Sequence, residues 1–218
     1  MIYEERRITL RNGSFGDYRA FVIQDLWPRL LESGHQPLCL LNGLIGAGIE
    51  DVVLIVGFEN YDAWRQAQSA IAGSDRDQAP RAWVKEESVR LMTASPYRPD
   101  GPTQREDRRP VYGARRWWIQ PEDWETFNRL SYEGIWPALD HMGHHVIGQF
   151  RDAATIAPLE VLNLAGYHDP THWQSTRNPA DHGVPQDLVD KMRDLGPRRN
   201  ALVLRSHVCL MTAHWPDD

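Results

Sequence analysis

VYGARRWWI, residues 111–119, repeats the pattern of IYEERRITL, residues 2–10. Tyr3 meets Tyr112, Arg6 meets Arg115 and Arg7 meets Arg116, at a constant offset of 109. The offset holds further along. Trp27-Pro28 falls on Trp136-Pro137, Gly34-His35 on Gly143-His144, Gly57 on Gly166 and Trp64 on Trp173. No gap is needed between residues 2 and 64. LMTA at 91–94 then meets LMTA at 210–213 at an offset of 119, so the second copy gains ten residues before its last strand. Ungapped agreement of this length indicates an internal duplication, and a duplication sets the fold before any motif does.

Each copy reads in the same order. An alternating strand (2–10, 111–119) leads into a helix with apolar residues at helical spacing: Phe15, Tyr18, Val22 and Leu26 in the first copy, Trp124, Phe127, Leu130 and Ile135 in the second. Ser14 is a candidate cap for the first helix. Pro121 with Glu122 and Asp123 suits the start of the second. Gly34 and Gly143 suit helix C-termini, and Pro28 and Pro137 predict a kink in each helix. Second strands follow near 37–41 and 145–150, and third strands at 51–58 and 159–167. Helices capped by Asn60 and Asp169 come next, then fourth strands near 86–93 and 201–213. PQDLVDKMRDLG (185–196), within the added residues, predicts a short helix ending at Gly196. The expected class is α+β, two tandem ferredoxin-like βαββαβ repeats. Expected boundaries are 1–98 for the first repeat, 99–109 for a Pro-rich charged linker and 110–218 for the second.

Composition narrows the function. With 24 basic and 30 acidic side chains the net charge is −6, a poor basis for binding nucleic acid through its phosphates. No apolar run approaches the roughly 20 residues of a membrane span, and MIYEERRITL shows no basic stretch leading into an apolar one, so no secretory signal is expected there. Cys39 and Cys209 make neither a disulfide framework nor a metal pair. A cytoplasmic setting is expected, with a small molecule as partner and a homo-oligomer as a possible assembly.

MIYEERRITL with its following helix, LWPRLLESG, IWPALDHMG and the third strands resemble the NIPSNAP family over nearly the whole chain, as two tandem copies. Ile2-Tyr3-Glu4 and Arg6 match the family's first-strand pattern; the second copy keeps Tyr112 and Arg115 but has Gly113 where the acid would stand. Asn163 falls at the polar position often found in the family's third strand, and Leu54 in the first copy does not. The resemblance implies a dimeric α+β barrel, here a pseudo-dimer within one chain. It also implies kinship with a superfamily of cofactor-free monooxygenases, isomerases, decarboxylases and haem-handling enzymes. Function does not follow from that fold alone.

The arginine of the resemblance, Arg6 and Arg115, is expected to mark the strand face lining the barrel. Strand alternation then sends Leu54 and Phe58, or Asn163 and Tyr167, to that cavity, while Val53, Ile55, Leu162 and Leu164 pack on helices. In the last strand His207, Cys209 and Met211 are expected inward, opposite Val208 and Leu210. The two copies have diverged: where the second offers Arg115, Trp117, Asn163, Tyr167 and His207, the first has Arg6, Ile8, Leu54, Phe58 and Ser88.

A catalytic set of His207, Arg115 and Asn163 follows. His207 would be general acid or base, Arg115 the holder of an oxyanion and Asn163 a hydrogen-bond donor to it. Trp117, Tyr167, Met211, Arg6 and Glu4 are the expected substrate-binding residues. The bland alternatives are a satisfied His207 and an Arg115 paired with a structural acid. His168 and His172, at i and i+4, read as a surface pair without a third ligand, so no metal and no cofactor is expected. The expected activity is cofactor-independent acid/base or oxygen chemistry of isomerase, cyclase or monooxygenase type on a small aromatic or polyketide-like substrate in the second-repeat cavity. The alternative is a non-catalytic ligand-binding or interaction protein. A third reading, haem binding, would need His207 as the ligand.

Overall fold

The computed structural model describes residues 1–71, 79–99 and 101–216; Asp100 of the expected linker lies outside them. The chain forms two compact units, Met1–Thr93 with Met211–Asp218, and Ala94–Leu210.

The first unit contains β1 (Ile2–Leu10), α1 (Phe15–Phe21), α2 (Trp27–Glu32), β2 (Gln36–Ile45), β3 (Asp51–Phe58), α3 (Tyr61–Ile71), α4 (Ala79–Trp83) and β4 (Val84–Ala94). Its antiparallel strands lie in the order β2-β3-β1-β4. The second unit contains β5 (Val111–Ile119), α5 (Trp124–Leu130), α6 (Trp136–His141), β6 (His145–Asp152), β7 (Leu159–Tyr167), α7 (Pro170–Ser175), α8 (Gln186–Asn200) and β8 (Val203–His214), whose residues from Met211 on are counted with the first unit. Its strands lie in the order β6-β7-β5-β8. The registers of the two units match at the sequence offset. Arg6 stands across from Leu54, and Arg115 across from Asn163. Ile2 stands across from Phe58, and Val111 across from Tyr167.

Local chemistry explains the element ends. Asn60 Oδ1 accepts from the Ala63 N–H at 3.0 Å, and Asp169 Oδ1 accepts from the His172 N–H at 2.7 Å. Each side chain thereby satisfies a helix-terminal donor. Gly34 and Gly143 close α2 and α6 with φ of +78° and +81°, a left-handed backbone that favours glycine.

Several expectations are corrected. Ser14 makes no side-chain cap; its carbonyl instead accepts from the Tyr18 N–H at 3.1 Å. The expected proline kinks are absent as such. A π-helical turn, Val22–Leu26 or Ser131–Ile135, precedes each Trp-Pro pair, and the proline sits in the first turn of a fresh α segment. The wide turn accommodates a residue that lacks an N–H and would crowd the preceding turn. The helix of the added residues also passes Gly196 and Pro197 to reach Asn200. Gly196 is buried because α8 docks on the π turn of its unit: a Cβ on Gly134 would meet Leu195 Cβ at 2.5 Å.

Candidate functional site

β5 and β7 place their side chains in register. Gly113 stands across from Ala165, Arg115 from Asn163 and Trp117 from Val161, all on one face. That face looks toward the helices of its own unit. Trp117 meets the Phe127 ring of α5 at 5.2 Å between centroids, and Val111, Ala165 and Tyr167 pack with Ile135 and Trp136. The first unit repeats the arrangement: Arg6 and Glu4 of β1 bond to Gln68 and Trp64 of α3. The expected assignment of faces is therefore reversed, since the arginine face is the helix-facing one. Alternation misleads here because Val53, Ile55, Leu162 and Leu164 on the opposite face are buried too, so neither face stands out by burial.

Between sheet and helices of the second unit lies a cavity of about 820 Å³. Gly113, Arg115, Trp117, Asn163 and Tyr167 line its sheet side. His144, Trp173 and Arg177 come from the connections and α7, and Arg199 from α8. Arg205, Ser206 and Val208 of β8 complete it. No Asp or Glu lines the cavity among the described residues. Gly113 leaves room for the Tyr167 ring, which a Cβ there would approach to 3.2 Å.

His144 is buried, and neither ring nitrogen has a hydrogen-bond partner among the described residues. Its ring meets the Tyr167 ring edge-on at 4.4 Å. Burial pushes the imidazole pKa down to about 3, helped by His172 and His182, so His144 is neutral at pH 7. Burial pushes the Tyr167 phenol up to about 12 against the pull of Arg115 and Arg177, so it too stays neutral. Burial lowers Arg115, with Arg177 adding to the effect and Tyr167 opposing it. Burial likewise pushes Arg199 down to about 10, with Arg115 adding repulsion. Arg199 stacks over Trp117 at 4.9 Å and over Phe127 at 5.4 Å, and its Nε is buried without a partner. Asn163 accepts a long hydrogen bond from Gln149 at 3.5 Å.

The expected residues are thus only partly brought together. Arg115, Trp117, Asn163 and Tyr167 share the cavity. His207 does not: it is exposed, and its neighbours Ser206 and Val208 face the cavity instead. The cause is the reversal of faces, and the haem reading loses the ligand it depended on. Met211 is buried but belongs to the first unit, as do Arg6 and Glu4. Arg6 and Glu4 form a closed network there. Arg6 pairs with Glu4 and Glu87 and donates to Gln68 Oε1 at 2.7 Å; Glu4 also accepts from Trp64 and from Gln68, the latter at 2.9 Å. The His172 ring is committed elsewhere, and the His168 ring packs beside it at 4.9 Å between centroids. The His168 N–H donates to His172 Nδ1 at 3.1 Å, and His172 Nε2 bonds the Met142 carbonyl at 2.7 Å. No group of three His, Cys, Asp or Glu among the described residues has metal-binding geometry. Sequence reasoning missed His144, Arg177 and Arg199. His144 was legible only as the end of a helix–strand turn, and Arg199 lies on the helix of the added residues.

No family model matches the sequence, and no curated protein matches it. Solved structures do match. A protein from Lactobacillus acidophilus, described as a "putative monooxygenase", is 12% identical with a TM-score of 0.65, over 97% of this chain and 93% of its own. The fold is that of the dimeric α+β barrel proteins. An anthrone oxidase-like protein is 9% identical with a TM-score of 0.52, over 98% of this chain and 91% of its own. The matching structures also include a NIPSNAP family protein from Agrobacterium tumefaciens, 21% identical over 45% of this chain and 97% of its own, with a TM-score of 0.38. No helix among the described residues is long and apolar enough to cross a membrane.

Proposed function

We propose that the second unit is a small-molecule enzyme of cofactor-independent oxygen chemistry, acting on an aromatic or polyketide-like substrate held in the 820 Å³ cavity. The observation that carries this reading is His144. It is a neutral, buried imidazole with both nitrogens unpartnered, set in the cavity wall against Tyr167. An imidazole kept neutral at physiological pH can take a proton from a bound substrate. Substrate charge nearby would raise its basicity from the low value that burial imposes.

The step is proton removal from an activated ring CH2, giving an enolate whose oxygen accepts a hydrogen bond from the Asn163 amide. Dioxygen is the co-reactant. The enolate carbon gives its electron pair to O2; the terminal oxygen of the resulting peroxide takes back the proton held by His144, and the H–C–OOH group loses water to leave a ketone. Trp117 and Tyr167 supply flat walls for the ring system. The neighbours described as monooxygenases and as anthrone oxidase-like support the choice of oxygen chemistry over isomerisation.

The test is oxygen uptake with anthrones and hydroxynaphthalenes as substrates. Wild-type protein consumes O2 and forms the quinone. His144→Gln lowers kcat at least about 100-fold, the usual scale of a lost general base, with the fold intact by circular dichroism. Uptake that is absent in the wild type, or unchanged in His144→Gln, overturns the reading.

A further inference from the structure

The two units give an internal comparison at one arginine. In the first, Arg6 is held by three side chains: Glu4, Glu87 and Gln68. At the repeat offsets of 109 and 119 their counterparts in the second unit are Gly113, Ser206 and Arg177. Both carboxylates have been removed, and the neutral amide has become a second cation. All three replacements line the cavity around Arg115. The added residues of the second copy bring a further arginine, Arg199, to the same wall. None of Arg115, Arg177, Arg199 or Arg205 has an ion-pair partner among the described residues. Each stacks on a ring instead: Arg115 and Arg199 on Trp117, Arg177 on Trp173 and Arg205 on Trp118.

Arg115 and Arg199 are half-buried, and a guanidinium in that position without a counter-charge is costly; Arg115 repels Arg199, and the exposed Arg177 repels Arg115. Such a cluster persists where something outside the chain supplies the negative charge. The rings decide what carries that charge. A bare inorganic anion would meet only the cations, whereas a flat ring bearing an acid also packs on the aromatic side chains that line the cavity, Trp117, Trp173 and Tyr167.

We infer that the second-unit cavity is built to bind an aromatic carboxylate, whose acid group takes the place that Glu4 and Glu87 occupy around Arg6 in the first unit. The inference rests on the cavity being the ligand site, as proposed above, and not on turnover. It names the substrate class: a polycyclic ring with a carboxyl substituent. Arg115 and Arg199 hold the acid, and the ring lies against Trp117.

The probes are anthraquinone-2-carboxylate and its uncharged analogue anthraquinone-2-carboxamide, with binding read by calorimetry and by quenching of tryptophan fluorescence. Wild-type protein should prefer the carboxylate by about 10-fold or more, the scale of a charge-assisted bidentate contact. Ser206→Glu restores an acid at the position of Glu87 and pairs with Arg115 from within the chain. It should erase the preference to within about twofold while leaving the carboxamide bound as before. Arg199→Met should also reduce the preference, which gives a second reading independent of the inserted acid. Equal affinity for the two probes in the wild type overturns the inference. So does carboxylate binding weaker than about 1 mM, or a preference that survives Ser206→Glu. Carboxylate preference without oxygen uptake leaves the anion site standing and removes only the oxygen chemistry. Uptake without the preference does the reverse.

Discussion

Replacing Arg199 with Met should make the ligand-free protein more stable. The guanidinium of Arg199 is half-buried, close to Arg115 and without an acid, and its pKa is pushed from the ordinary arginine value down to about 10. At ~1.4 kcal/mol per pH unit this depression corresponds to a penalty of about 3 kcal/mol at neutral pH. Partial exposure screens part of it, leaving about 2 kcal/mol. Met keeps the apolar stem but loses the stacking on Trp117 and Phe127, worth about 1 kcal/mol. The net expectation is a gain of about 1 kcal/mol, or a Tm higher by about 4 °C. The pH dependence has a definite sign. A base whose folded pKa is depressed carries its full penalty below that pKa, and the penalty is relieved only as pH rises above about 10. The difference between variant and wild type should therefore be flat from pH 6 to about pH 9. Urea unfolding followed by tryptophan fluorescence, with no ligand present, measures it. A loss of more than about 1 kcal/mol would refute the reasoning, because it would mean that Arg199 is already compensated within the fold.

Two further outcomes follow from the same physics. Glu4→Ala removes the carboxylate that accepts from Arg6, Trp64 and Gln68, so it should cost about 3 kcal/mol in urea unfolding; a cost below about 1 kcal/mol would show that Glu87 alone holds Arg6. His144 has a folded pKa near 3, below its ordinary value, so it destabilises the fold progressively as pH falls through 6 toward 3. His144→Asn should flatten the loss of stability between pH 6 and 4 by about 1 kcal/mol per pH unit, and parallel curves for the two proteins would show that His144 protonates freely when folded.

How much was legible in the sequence depends on what each residue's signal rests on. The repeat, the order βαββαβ and the caps at Asn60 and Asp169 rest on spacing and local chemistry, and both are visible along the chain. The shared face of Arg115, Trp117, Asn163 and Tyr167 follows from strand alternation and the β5–β7 register. Which way that face looks did not follow. Both faces of β3 and β7 are buried, so polarity carries no contrast from which to choose. That single ambiguity removed His207 from the site and admitted Ser206. His144, Arg177 and Arg199 were hidden for a different reason: they reach the cavity from a helix–strand turn, from beyond α7 and from α8, segments whose docking no periodicity encodes.

The sequence by itself determined that one unit was copied, and that the second copy kept Arg115 while losing the acids at the places of Glu4 and Glu87. Those are facts of residue identity at fixed offsets. Only the tertiary structure decided that these places surround one arginine. In the first unit Arg6 pairs with Glu4, its neighbour on the same strand face, and reaches Gln68 and Glu87, which are far away along the chain, through a hydrogen bond and an ion pair. Which of the lost charges belonged together is therefore written in the packing of α3 and β4 on β1, and in their counterparts around the cavity of the second unit.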